Sequence, residues 1–400
     1  MMLAEGILEL QTEIQAIRRD LHAHPELRYE EHRTAGVVAA KLRAWGLEVT
    51  EGIGGTGLVG TLRRGTATRA VGLRADMDAL PLQEHNAFAH ASKHSGKMHA
   101  CGHDGHTAML LAGARWLSKH GGFDGVGHFI FQPAEEGGAG AQKMIDDGLF
   151  ERFPCEAVFG MHNWPGMAVG QFAVTPGPMM ASSNEFEITI RGKGAHAALP
   201  HNGVDPVLVA THLVQALQSI ITRNKKPIDA AVLSVTEIHA GSTTNIIPDS
   251  AIVRGTVRTF TLETLDLIES RMKQLTEQLP PAFGATGSLH FHRNYPPTIN
   301  DPKQTAFAAS VMRELVGDDG VDAACEPTMG SEDFAFMLQA LPGCYAFIGN
   351  GDGSHREGGH GMGPCMLHNP SYDFNDELIP IGGSYWVRLV QCFLPTAAKA

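Results

Sequence analysis

Val126-Gly-His-Phe-Ile-Phe-Gln-Pro-Ala-Glu-Glu-Gly-Gly-Ala-Gly140 runs from a strongly apolar segment into a glycine-rich turn that opens on two neighbouring carboxylates, Glu135 and Glu136. Adjacent side chains point in different directions, so one carboxylate can hold a metal while the other stays free to move a proton. Other segments end in the same way. Residues 70–74 run into Ala75-Asp76-Met77-Asp78, and residues 157–161 run into His162-Asn163-Trp164. A Cys-x-His pair, Cys101 and His103, opens an apolar helix. In open α/β sheets ligands bind just beyond the carboxyl ends of the strands, so metal-ligating residue types on consecutive strand ends predict an active site.

Working outward, residues 58–62, 70–74, 126–131 and 157–161 read as strands. Residues 106–120 read as a buried helix, with Ala108, Leu111, Ala112, Ala114 and Leu117 among its apolar positions. Continuous apolar strands separated by helices predict an α/β domain whose mostly parallel sheet is covered by helices on both faces. The pattern changes after Thr175-Pro-Gly-Pro178. Residues 185–191 alternate, with Phe186, Ile188 and Ile190 on one side, which marks a half-exposed strand. A helix over about 205–223 follows, with Pro206 in its first turn where a missing N–H is harmless. Strands over 231–238 and 251–259, a helix over 262–279 and a strand near 288–292 complete the order β-α-β-β-α-β. That order is ferredoxin-like. The sequence therefore predicts a main domain over 1–182 and 294–400, interrupted by a ferredoxin-like α+β insert over 183–293. Residues 344–348 resume the buried strands, before a glycine- and histidine-rich loop and Leu367-His368-Asn369-Pro370.

Four hundred residues exceed the usual size of one core, which agrees with two domains. The 43% hydrophobic content fills ordinary cores, and no run approaches the roughly 18 apolar residues of a membrane span. A formal charge of −12 without any basic run argues against nucleic acid as a partner. Ile7, Leu10, Ile14, Ile17 and Leu21 recur at helical spacing with charges between them, unlike a signal peptide. Six cysteines, at 101, 155, 325, 344, 365 and 392, show no paired spacing. The expectation is reduced thiols in the cytoplasm.

Cys101, His103, Glu136, His162 and His368 are the candidate metal ligands, because thiolate, imidazole and carboxylate suit zinc and its first-row neighbours. Cys101-Gly-His103 alone could be half of a structural zinc site, but no second such pair completes one. Glu135 is the candidate proton carrier. A metal lowers the pKa of a bound water toward ~7, and a nearby carboxylate can take that proton and pass it to a leaving amine. By itself Glu135 would read as a helix N-terminal acid favoured by the macrodipole.

Asp20-Leu-His-Ala-His-Pro-Glu-Leu27, Leu73-Arg-Ala-Asp-Met-Asp-Ala-Leu-Pro81, His99-Ala-Cys-Gly-His-Asp-Gly-His106 and Gln132-Pro-Ala-Glu-Glu-Gly137 resemble the amidohydrolases of the aminoacylase and carboxypeptidase metallopeptidase family. The subgroup they fit is the hippurate and auxin-conjugate hydrolases. Gly160-Met-His-Asn163, Gly194-Ala-His-Ala197, Asn245-Ile-Ile-Pro248, Gly330-Ser-Glu-Asp-Phe334 and Leu367-His-Asn-Pro370 extend the match over nearly the whole chain.

The resemblance implies a catalytic domain with a dinuclear centre and an inserted lid or dimerisation domain, with Glu135 as general base. In the wider family a His-x-Asp motif stands at Asp76-Met77-Asp78, so Asp76 replaces a ligand histidine and Asp78 becomes a group that orients a ligand. Cys101 and His103 stand where the wider family carries its bridging acid, leaving the bridge and the metal (manganese, zinc, cobalt or nickel) open. His196 resembles a lid histidine that polarises the scissile carbonyl. Asn245 and Arg258 are candidates for the substrate carboxylate, since an arginine fork suits that group. Arg254 shares a strand face with Arg258 and could serve instead. The implied reaction is hydrolysis of small N-acyl amino acids, hippurate-like or N-acetylated, by water that a metal activates and Glu135 deprotonates. The expected assembly is a homodimer or a dimer of dimers. A dipeptidase of the same family, or a silent metal- or peptide-binding relative, are the competing readings. A silent relative would be expected to lose its base or a ligand, and this chain keeps both.

Overall fold

The apolar run that opens the sequence argument folds as the strand Gly125–Gln132, buried along its whole length. In the computed structural model, which describes residues 1–396, this strand lies beside Ala70–Asp76 in parallel register, with Leu73 opposite Phe129 and Asp76 opposite Gln132. Both strand ends are therefore level, and the acids that follow them emerge together. Among the described residues an eight-stranded sheet runs in the order Glu48–Ile53, Gly57–Arg64, Gly125–Gln132, Ala70–Asp76, Val158–Pro165, Gly343–Gly351, Phe172–Ala173 and Val321–Asp322. The four central strands are parallel, and antiparallel strands extend the margins.

Every residue of Ala70–Asp76, Gly125–Gln132 and Gly343–Gly351 is buried, as a sheet covered on both faces requires. Phe129, Phe131, Phe159 and Phe172 are fully enclosed, each contributing about 1.5–3 kcal/mol of burial. The helix His103–His120 packs closely against Leu378–Phe393, and a Cβ on Gly113 would come within 2.8 Å of Trp386 Cβ. Two strands outrun their apolar stretches. Ala70–Asp76 and Val158–Pro165 carry Asp76, His162 and Asn163 inside the sheet rather than after it.

The chain divides into two compact units. One takes residues 1–177, 299–326 and the chain from Asp333 on, and the other takes 178–298 and 327–332. The second unit reaches beyond 183–293 at both ends and adds a short return segment. Its four-stranded antiparallel sheet has the order Ala231–Ala240, Ser250–Thr259, Ser183–Arg191, Thr286–Tyr295. The helices Pro206–Ser219 and Leu262–Gln278 complete the β-α-β-β-α-β order. Phe186, Ile188 and Ile190 join Leu213, Leu217, Ile268 and Met272 in a separate core. Asp205 and Thr261 cap the two helices by accepting from Val207 N and Thr264 N. Among the described residues no helix is long and apolar enough to cross a membrane.

Candidate metal centre

Each candidate ligand in the first unit is delivered by a specific backbone feature. Gly102, at φ 97°, lets the helix His103–His120 begin directly after Cys101. A Cβ on Gly102 would lie 2.2 Å from Asn163 Nδ2 and 2.5 Å from Tyr372 Oη, so the close approach also requires glycine. Ala134, at φ 52°, turns the chain from the Gly125–Gln132 strand so that Glu135 and Glu136 follow at once. His368 has φ 61°, and its N–H donates to Ala100 O at 2.7 Å, tying its loop to the Cys101 segment.

These residues converge. Ligating atoms of Cys101, His103 and His162 lie within 4.8 Å of one another, and so do those of Cys101, Glu136 and His368. Cys101 Sγ is 3.3 Å from His162 Nε2, and His368 Nε2 is 3.2 Å from Glu136 Oε1. The two triads overlap at the Cys101 sulfur. Burial holds His162 neutral. Its Nδ1–H donates to Asn163 O at 2.6 Å, which leaves the Nε2 lone pair facing the sulfur. Burial, then the carboxylates of Glu136, Glu135 and Asp76, push the Cys101 thiol well above its usual pKa. Burial opposes charge on His103, but Asp76, Asp78 and Glu136 outweigh it and raise the ring to about 10. A cluster that forces a proton onto both sulfur and imidazole is one that a cation would relieve. His103 Nε2 is also buried without a hydrogen-bond partner, as a ligand atom would be. The donor set therefore fits divalent metal.

Glu135 Oε2 lies 4.0 Å from His103 Nε2, beside the cluster. Asp78 holds this arrangement from within. Its Oδ1 accepts from Glu135 N at 3.0 Å and faces His103 Nδ1 at 3.3 Å, while its Oδ2 accepts from Glu136 N at 2.8 Å. The residue read as an orienting acid thus orients three neighbours. Asp76 behaves differently from a ligand. Its Oδ1 takes His106 Nδ1–H at 2.6 Å and its Oδ2 takes Arg74 Nη1 at 2.7 Å.

The second-unit candidates fall into two places. His196 pairs with Ile246, and Ala197 N donates to Asn245 O at 3.0 Å, so His196 and Asn245 are neighbours. Ala198 N donates to His196 Nδ1 at 3.0 Å, which puts the proton of the neutral ring on Nε2. Arg258 lies near the far end of Ser250–Thr259, about 26 Å along the strand at ~3.3 Å per residue. It donates to Asn184 O, Val257 O and the Thr256 hydroxyl, and burial lowers its pKa. Arg254 is engaged by Glu187 at 2.8 Å and Glu237 at 3.2 Å.

The model of the peptidase family M20/M25/M40 matches residues 72–391. The chain belongs to that family. It is 41% identical to the hippurate hydrolase of Campylobacter jejuni over 98% of this chain and 100% of the relative. It is 40% identical to the N-acetyl-L-cysteine deacetylase of Bacillus subtilis over 94% and 87% of the two chains. The crystal structure of the Bacillus subtilis YXEP protein, a dinuclear metal binding peptidase from the M20 family, superposes with a TM-score of 0.82 at 32% identity, covering 98% of this chain and 100% of that one.

Three residues of this M20 member escaped the sequence reading. His106, which the sequence placed only at the start of a buried helix, is buried and accepts at Nε2 from both Asn163 N and Asn163 Nδ2 at 3.0 Å. Asn163 also donates to Cys101 O at 2.7 Å and accepts from Tyr372 Oη at 2.7 Å, linking the Cys101 and His162 segments. Its position directly after His162, inside a strand end, was the available signal. Asp333 carried a weaker one, in Gly330-Ser-Glu-Asp-Phe334. It accepts from Arg74 Nη2 at 3.0 Å and from Gln132 Nε2 at 2.7 Å beneath the cluster.

Proposed function

We propose that this chain is a metal-dependent amidohydrolase that cleaves N-acyl amino acids, of the hippurate or N-acetyl type, and holds two divalent ions. The observation that carries this reading is the pair of ligand triads sharing Cys101 with Glu135 alongside. Cys101, His103, Glu136, His162 and His368 are the residues that would hold the ions. Bound there, divalent metal would supply polarisation of the scissile carbonyl and a more acidic water. Glu135 takes the proton of the attacking water and returns it to the amine nitrogen as the C–N bond breaks. Asp78 fixes the backbone of Glu135 and the ring of His103 while this happens. His196, with its proton on Nε2, is the group we assign to stabilise the oxygen that becomes negative. Thiolate beside imidazole and carboxylate accommodates manganese, cobalt, nickel or zinc.

The names of the relatives support the substrate class, since both the hippurate hydrolase and the deacetylase cleave an acyl group from an amino acid. The six unpaired cysteines agree with a reducing compartment, and we place the protein in the cytoplasm. We assign homodimer formation to the second unit, whose edge strand Ala231–Ala240 exposes its backbone and Ile238.

Assay of the metal-loaded protein against N-benzoyl amino acids, N-acetyl amino acids and dipeptides tests the reading. Turnover is expected for the acylated compounds and not for dipeptides with a free amino terminus. Chelation should abolish it while leaving far-UV circular dichroism nearly unchanged, and added manganese, cobalt or zinc should restore it. Full turnover in protein shown to be metal-free, or activity on dipeptides alone, would sink the assignment.

A further inference from the structure

The turn that carries Glu135 and Glu136 is strained. Among the described residues four non-glycine positions have positive φ, and three of them are Tyr29 at 62°, Ala134 at 52° and Ala139 at 52°. Such conformations cost of order 1–3 kcal/mol each and persist only where their surroundings impose them. Ala134 and Ala139 bracket the carboxylate turn, and Tyr29 lies in a segment clasped over it.

That segment is Arg28-Tyr-Glu-Glu31, between the helices Gln11–Ala23 and His32–Ala44. Glu31 Oε1 accepts from Ala134 N at 2.8 Å. Tyr29 Oη donates to Gly138 O at 2.5 Å, and Arg28 Nη1 donates to Glu136 O at 3.2 Å. With Asp78 accepting from Glu135 N and Glu136 N, three consecutive backbone N–H groups are each taken by a buried carboxylate oxygen. The clasp is itself anchored to the strand end that carries Asp78. Ala79 N donates to Glu26 O at 2.8 Å, Leu27 bridges Ala79, and the Thr56 hydroxyl donates to Glu31 Oε2.

Glu31 is fully buried and lies close enough to Asp78 to feel its charge. Burying another carboxylate beside Asp78, Glu135 and Glu136 is unfavourable, costing several kcal/mol before compensation. Packing alone would be served by an apolar side chain. What a carboxylate adds is a charge-assisted hydrogen bond, roughly twice as strong as a neutral one, to the N–H that begins the strained turn.

We propose that Glu31 is a positioning residue for hydrolysis: by holding Ala134 N–H it fixes the left-handed turn that aims the Glu135 carboxylate. This rests on Glu135 being the general base. Glu31 touches neither substrate nor metal in this account and acts only through the turn.

The test measures kcat, KM, bound metal and amide hydrogen exchange at 134–136 in Glu31→Ala, Glu31→Gln and Glu135→Gln. Misplacing a reacting group by about 1 Å costs up to ~10²-fold, so Glu31→Ala should lose roughly 10- to 100-fold in kcat. Its KM should stay within about twofold, because ground-state binding is untouched. Metal content should be unchanged, and exchange at 134–136 should accelerate. Glu31→Gln keeps an acceptor for Ala134 and a donor for Thr56, and should recover kcat to within about threefold. Wild-type kcat in Glu31→Ala overturns the proposal, as does a loss of kcat matched by an equal loss of metal. If Glu31→Ala does not fold, Thr56→Val decides. A severalfold lower kcat with faster exchange at 134–136 supports the clasp, and an unchanged kcat overturns it. An inert Glu135→Gln beside a fully active Glu31→Ala overturns this proposal alone. Full turnover in metal-loaded Glu135→Gln removes the general-base reading and this proposal together.

Discussion

Arg74 and Arg254 are each held between two carboxylates on a β-sheet, yet they belong to different worlds. Arg74, in the first unit, pairs with Asp76 at 2.7 Å and Asp333 at 3.0 Å, and all three side chains are 0% exposed. Arg254, on the open face of the second unit, pairs with Glu187 at 2.8 Å and Glu237 at 3.2 Å, with 45% of its side chain exposed. Geometry is nearly the same, and the surroundings decide what it means. Around Arg74 there is no water to take over if a partner is lost, so charge and hydrogen bonds must close on themselves. Around Arg254 water competes for every contact. The first unit uses buried charge to fix where ligands stand. The second uses its charge to keep a sheet face wetted while its apolar face supplies the core.

The sharpest way to break this comparison is Arg74→Met. It leaves Asp76 and Asp333 buried without their shared cation, and removing one partner of a buried pair costs ~3–5 kcal/mol. The denaturation midpoint should fall accordingly, and an unchanged midpoint would show that water reaches the site.

A second, smaller effect comes from another buried pair. His22 is enclosed, with Nδ1 2.9 Å from Asp104 Oδ2 and Nε2 3.2 Å from Glu84 Oε1. Burial opposes its charge, but Asp104 and Glu84 outweigh that and raise it to about 9. A pKa raised in the folded state stabilises while the ring is protonated. The contribution is thus complete below the unfolded value of ~6.5 and lost as pH rises through about 9, amounting to up to ~3 kcal/mol. Stability measured by denaturant should decline between pH 7 and 10, and His22→Gln should flatten that decline. An equal slope in the variant would assign the alkaline loss elsewhere.

The smallest effect is expected at Arg254→Met, which should leave the unfolding midpoint where it is. A loss comparable to that of Arg74→Met would mean that the open face is covered in solution.

What was legible in the sequence follows the same division. Phe186, Ile188 and Ile190 alternate because one face of their strand is wet, so the insert's elements could be read in order from local pattern. The clustering of Cys101, His103, Glu136 and His162 was legible because polar ligating types interrupt apolar runs at strand and helix ends, whereas His368 stands in a loop and was carried by the Leu367-His-Asn-Pro370 block. His106, Asn163, Asp333 and Glu31 were not. Each works through a partner distant in sequence, as Asp333 does with Arg74, 259 residues away, and no local periodicity encodes such a meeting. His106 sits in a first helical turn, and only the neighbouring strand end shows that Asp76 and Asn163 bind both of its nitrogens.

The strand Gly343–Gly351 lies inside the first unit's sheet, between Val158–Pro165 and Phe172–Ala173. A ribosome delivers it only after the whole four-stranded unit has been made. Until then the nascent sheet has a gap at its centre, Arg74 lacks Asp333, and the segment bearing His368 does not yet exist. The second unit, almost continuous in sequence, can close its own core while synthesis continues. The candidate metal centre is therefore completed last, and a chain terminated between residues 333 and 367 would carry the whole second unit but lack His368.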